Sequence, residues 1–130
     1  MASVEHHSFP DTSVPKAYGA FSHAVVAGDF VFVAGQIARL PTGEFAGGDV
    51  ASQTARAIEI VADILGRLDL TLRDVVRCTV YLSDIADFAA MNDVYAKVFA
   101  PNFPARSTPQ VQMPFGAKVG LEVTAFRGVR

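Results

Sequence analysis

The apolar positions of this chain change period along its length, and the changes predict the elements. "HAVVAGDFVFVAG" is dense in Val and Phe, residues that suit a pleated, half-buried surface. It predicts two strands, Ser22–Ala27 and Phe30–Ala34, turned at Gly28-Asp29. "QIARLPTGEFAGG" is rich in turn residues, with room for a short strand before Pro41. The period then lengthens. Val50, Thr54, Ala57, Ile58, Val61, Ile64, Leu65 and Leu68 recur at steps of three and four, with Arg56, Glu59, Asp63 and Arg67 opposite them. That is an amphipathic helix, with Asp49 placed to cap it. "VVRCTVYL", Val75–Leu82, predicts a strand. "DIADFAAMNDVYAKVFA" predicts a second helix with Asp84 as its cap and Ile85, Phe88, Ala89, Met91, Asn92, Tyr95 and Phe99 inward; Pro101 stops it. The closing run "AKVGLEVTAF" predicts a last strand.

Each helix is followed by a strand after a short connection. This predicts α+β architecture: two crossovers onto one sheet, with both helices on one face. The other face is then left uncovered. At 130 residues one domain is expected, with residues 1–16 as an irregular leader. Hydrophobic residues make up 51% of the chain and charged ones 18%, so an oligomer that covers apolar surface is expected.

Charge and cysteine content narrow the function classes. The formal net charge is −2, and Lys and Arg are scattered, which argues against a nucleic-acid groove. A single cysteine, Cys78, forms no internal disulfide and alternates with Val76 and Val80 as a core residue would. No signal-peptide pattern or membrane-length apolar run is seen, so a cytoplasmic protein without membrane contact is expected.

Two residues stand out chemically. Arg106 is the only charged residue between Lys97 and Lys118, and four of the seven prolines surround it: Pro101, Pro104, Pro109 and Pro114. Glu122 is the only acid after Asp93 and lies in an apolar strand. Hairpin-like pairing of Arg106–Val111 with the last strand would bring the two together. Such a pair reads either as a salt bridge or as an anion site, where the guanidinium forks onto a carboxylate and Glu122 holds a water. Other features are weaker. "GEFAGGDV" precedes a helix but lacks the Lys-Ser/Thr ending of a phosphate loop. His6 and His7 read as solvated and His23 as hydrogen-bonded structure. One strand histidine and scattered acids make no metal set.

The segments "GAFSHAVVAGDFVFVAGQI", "DVASQTARAIEIV", "VVRCTVYLSDIADFAAMNDVYAKVF", "FPARS" and "LEVTA" together resemble the RidA/YjgF family, also called endoribonuclease L-PSP. The resemblance runs from about Ala17 to Arg127, and "FPARS" and "LEVTA" are its most diagnostic pieces. It implies a chorismate-mutase-like fold, a homotrimer with ligand clefts between subunits, and hydrolysis of reactive enamines and imines such as 2-aminoacrylate to 2-keto acids and ammonia. The enamines arise from pyridoxal-phosphate-dependent enzymes. The resemblance also implies that the hydrolysis uses no metal or organic cofactor.

By position, the resemblance implies that Arg106 binds the substrate carboxylate and Glu122 positions the attacking water. Gly35 would form the cleft wall, Asn92 would lie near the site, and the backbone at Thr108 would face the substrate. Phe21, Ala34 and Thr108 replace the tyrosine, serine and cysteine of the best-known deaminases, and Pro109 also departs from them. These changes remove polar handles and leave the Arg106–Glu122 pair. A carboxylate-binding trimer with little turnover is therefore the alternative to a deaminase.

Overall fold

The computed structural model describes residues 3–9 and 14–128. Six strands form one sheet: β1 (Val4–His7), β2 (Ala24–Ala27), β3 (Phe30–Ile37), β4 (Val75–Leu82), β5 (Ala105–Ser107) and β6 (Val119–Phe126). Their spatial order is β1-β2-β3-β6-β4-β5. Only the β4–β5 pairing is parallel, so the sheet is mixed. Two helices, α1 (Val50–Gly66) and α2 (Phe88–Phe99), complete the α+β architecture.

The crossovers explain this order. The chain leaves β3, passes through α1 and returns as β4, leaving a gap of one strand that β6 fills from the C-terminal end. It then passes through α2 and lays β5 beside β4 at the sheet edge. The structure corrects the expected pairing here: Arg106 does not pair with the last strand, because β4 stands between β5 and β6. The stretch after β5 stays along β4, with Leu82 N donating to Pro109 O at 3.0 Å and Val111 N to Leu82 O at 2.9 Å.

Sequence periodicity placed most of α1. Val50, Thr54, Ala57, Ile58, Val61, Ile64 and Leu65 are buried, and Ser52 N donates to Asp49 Oδ1 at 2.8 Å as an N-cap. Gln53 and Ile60 are buried as well. Gln53 is satisfied by polar partners: it donates to Gly48 O at 2.7 Å and accepts from Lys118 N at 2.9 Å. α1 packs on β3, β6 and α2. In α2 only Met91, Tyr95 and Phe99 are buried. Asp84 caps a 3-10 turn, Ile85–Asp87, and the α-helix proper begins at Phe88. The inward reading of Ile85, Phe88 and Ala89 is thereby corrected: all three are exposed, Ile85 because it lies in the 3-10 turn outside the α-helical phase, and Phe88 and Ala89 because they stand in the first turn of α2, ahead of the buried Met91. The leader is corrected too, since Val4–His7 pairs antiparallel with β2.

The sheet has two unlike faces. Val31, Val33, Cys78, Val80, Leu82, Val119, Leu121 and Val123 join the helices in the core. On the other face Phe30, Phe32 and Phe126 are 42%, 48% and 43% exposed, a concentration of aromatic surface that the described residues leave uncovered. Among the described residues no helix is long and apolar enough to cross a membrane.

Candidate functional site

Arg106 and Glu122 lie on different faces of the sheet. Cys78 in β4 is in register with Arg106, and Thr79 with Glu122. Neighbouring residues of a strand point to opposite sides, so Arg106 shares the helix-covered face with Cys78 and Glu122 takes the open face with Thr79.

The Arg106 side is built by β5 and α2. The guanidinium carbon lies 4.5 Å from the Tyr95 ring centroid and 5.3 Å from that of Phe88. Both distances are within cation–π range, so α2 holds the cation without a counter-ion. Among the described residues Arg106 forms no ion pair. It borders a cavity of about 330 Å³ together with Asn92, Tyr95, Ala96, Phe103 and Pro104. Asn92 therefore lines the cavity and Phe88 packs on the Arg106 guanidinium, and neither belongs to the core. The Tyr95 hydroxyl is buried beside the Cys78 thiol with no partner that meets hydrogen-bond geometry. Burial pushes the Tyr95 phenol upward and the Cys78 thiol up to about 12. Cys78 is thus an inert thiol under the site, as its alternation predicted.

The Glu122 side is built by β4, β6 and the bulged end of β3. The Tyr81 hydroxyl donates to Glu122 Oε1. That bond, followed by burial, raises the Tyr81 phenol above its ordinary range. Tyr81 also borders a second cavity, of about 230 Å³, with Tyr18, Gly35, Gln36, Met113 and Gly120 among its walls. The two glycines in this wall differ: Gly120 lets Met113 and β3 approach closely, and Gly35 faces open space. A Cβ at Gly120 would stand 2.9 Å from Met113 Cε and 3.2 Å from Gln36 O, whereas one at Gly35 would meet nothing within 4 Å. The register of β3 against β6 shifts between Val33 and Gln36, which sets Gly35 into the bulge.

The other expected site residues distribute around these two centres. Phe21 packs edge-on against Tyr18, with ring centroids 5.3 Å apart, and Tyr18 in turn packs edge-on against Phe115 at 5.2 Å. The aromatic group therefore reaches the Gly35 cavity through Tyr18, with the Arg39 guanidinium 5.1 Å from the Tyr18 ring. Ala34 uses its backbone: its N donates to His23 O at 3.0 Å and its O accepts from Gln36 Nε2 at 3.1 Å. Thr108 is half-buried in the stretch that follows Arg106 along β4. His23 is structural, bonded to Phe9 N and Pro15 O. His7 forms a 3.2 Å contact with Glu5. Among the described residues no three His, Cys, Asp or Glu side chains converge as a metal site would require.

The expected residues thus fall into two separate groups: Arg106 with Asn92 on one side, and Glu122 with Gly35 and Tyr81 on the other. Sequence reasoning missed Tyr81 and Tyr95, whose signals in the sequence are those of ordinary strand and helix-core residues.

Residues 11–127 match the family described as Endoribonuclease L-PSP. The chain belongs to the RidA/YjgF family. Among its RidA/YjgF relatives is a RutC family protein of Pyrococcus abyssi, 44% identical over 115 residues, covering 87% of this chain and 91% of that protein. The human 2-iminobutanoate/2-iminopropanoate deaminase is 33% identical over 130 residues, covering 98% of this chain and 95% of its own. Among solved structures, E. coli TdcF with bound serine superposes with a TM-score of 0.85 at 32% identity, covering 95% of this chain and 99% of that one. The RidA/YjgF fold is therefore shared over nearly the whole length, and deaminases are among the family's named members.

Proposed function

We propose that this single-domain chain hydrolyses small 2-imino acids, the tautomers of enamines such as 2-aminoacrylate, to 2-keto acids and ammonia. The observation that carries the reading is Arg106: a guanidinium held on two aromatic rings beside a cavity, with no ion pair among the described residues. A planar fork of this kind binds a carboxylate through two parallel hydrogen bonds. The serine bound by TdcF has such a group. The deaminase name of the human relative supports the reaction.

In this reading Glu122 supplies the base. It takes a proton from water as the oxygen bonds to the imine carbon, then returns it to the nitrogen that leaves as ammonia. The balance is one C=N bond and one water to one C=O bond and one ammonia, with no redox change. An imine already hydrolyses in water, so orientation and a positioned base suffice.

Arg106 and Glu122 of one chain face opposite ways, so a cleft holding both takes them from two copies. Cyclic head-to-tail assembly into a homotrimer provides this, with the aromatic sheet faces turned inward. Each cleft then has Arg106, Asn92 and the Thr108 backbone from one chain. The neighbour brings Glu122, Gly35, Ala34 and Phe21. The absence of hydroxyls at Phe21 and Ala34 favours a second reading, a carboxylate-binding trimer with little turnover.

The test generates 2-aminoacrylate with a cysteine or serine lyase and follows its decay with and without the purified chain. Faster decay with stoichiometric keto acid and ammonia is expected. Decay at the buffer rate, with 2-keto acids still raising the thermal midpoint, would move the assignment to the binding protein.

A further inference from the structure

The open-face hydrogen bond between Tyr81 and Glu122 lies outside the hydrophobic core. Both side chains are only partly buried, and neither belongs to the hydrophobic core. The sheet sets them on one face: Tyr81 is in register with Gly120 and Thr79 with Glu122, so the two are diagonal neighbours across β4 and β6. Glycine at 120 leaves the Tyr81 ring without a side chain opposite it, and the ring forms part of the cavity wall shared with Gly35. The phenol therefore borders the cavity while its hydroxyl engages the acid beside it.

We infer that Tyr81 is the positioning residue for Glu122, holding Oε1 so that Oε2 is the oxygen presented to the reacting water. The inference rests on the deaminase reading above and deepens it. A carboxylate turns freely about its last torsion, because that rotation is broad and nearly two-fold. A hydrogen bond to one oxygen removes the freedom and aims the other. Among the described residues Oε2 has no partner. The donor is also persistent: Glu122 raises the Tyr81 phenol, so Tyr81 keeps its proton through the neutral range. The Tyr81 hydroxyl is engaged by Glu122 Oε1, so in this reading it acts through the carboxylate. Its effect belongs to kcat, while Arg106 governs KM.

The test compares wild type with Tyr81→Phe, Glu122→Gln and the double variant in the lyase-coupled assay. Phenylalanine keeps the ring and removes only the hydroxyl, and an unchanged thermal midpoint verifies the fold. Tyr81→Phe is expected to lower kcat by roughly ten- to a hundredfold, the range for a hydrogen bond to a charged group, with KM within about twofold of wild type. The double variant is expected to match Glu122→Gln alone, because the phenol acts only through that carboxylate. Wild-type kcat in Tyr81→Phe would overturn the inference and leave the deaminase reading standing. So would a double variant that falls by the product of the two single losses. Wild type no faster than buffer would overturn the deaminase reading itself.

Discussion

Arg106 and Glu122 are held by different physics although one strand separates them. Arg106 is fixed by packing: α2 lays Phe88 and Tyr95 against it, and its counter-charge is left to come from elsewhere. Glu122 is fixed by a hydrogen bond from Tyr81 on an open sheet face. The difference shows how a sheet divides labour. The helix-covered face supplies a rigid, apolar mount where a cation keeps its affinity. The open face supplies polar groups beside aromatic surface that another copy can cover.

The largest expected effect comes from the Arg106 side. Arg106→Ala removes the proposed carboxylate clamp, a loss of about 2–5 kcal/mol by analogy with desolvated charge pairs, or roughly thirtyfold to several thousandfold in kcat/KM. Arg106→Lys is expected to fall nearly as far, since charge without the fork does not reproduce two parallel bonds. Steady-state kinetics in the lyase-coupled assay check both. A lysine variant with wild-type rates would reduce Arg106 to a point charge.

The next test breaks the comparison directly. Arg106→Ala and Glu122→Gln chains are each expected to keep only a few per cent of wild-type activity or less at subsaturating substrate, by the losses above, yet a 1:1 mixture, unfolded and refolded together, should recover about a quarter of it. In a cyclic assembly each cleft draws its two residues from different chains, so one cleft in four is intact on random mixing. No recovery in the mixture would place both residues of a working site in one chain and overturn the shared cleft.

Phe32→Lys sharpens the role of the open face. Phe32 is 48% exposed, so the substitution costs the isolated chain little, but it buries a charge if copies meet there. Sedimentation is expected to show dissociation toward monomer, with activity lost in parallel. The smallest effect is expected at Cys78. Burial lifts its thiol to about 12, so alkylating reagents at neutral pH should leave the native chain unmodified by mass spectrometry. Rapid modification would mean that the floor beneath Arg106 opens to solvent.

Much of the fold was legible in the sequence because it rests on local signals. The α1 periodicity, the Asp49 cap and the turn at Gly28-Asp29 all involve residues a few positions apart. Arg106 and Glu122 were legible as candidates for the same reason: each is a lone charge in an otherwise uncharged stretch. Their relation was not legible. Nearness in sequence suggested a hairpin, but β4, joined to β5 through α2, lies between β5 and β6. Tyr81 carries no mark that separates it from other strand formers until Gly120 and Glu122 are placed beside it.

The sequence by itself determined most of the elements, β1 and the 3-10 start of the second helix excepted, with the two helices on one face, the surplus of apolar surface and the two isolated charges. Only the tertiary structure decided which strands are neighbours, and hence that the cation and the acid face apart. Local propensity and periodicity act within a turn or a strand. The order of strands depends on crossovers and packing between distant segments, which leave no local trace in the sequence.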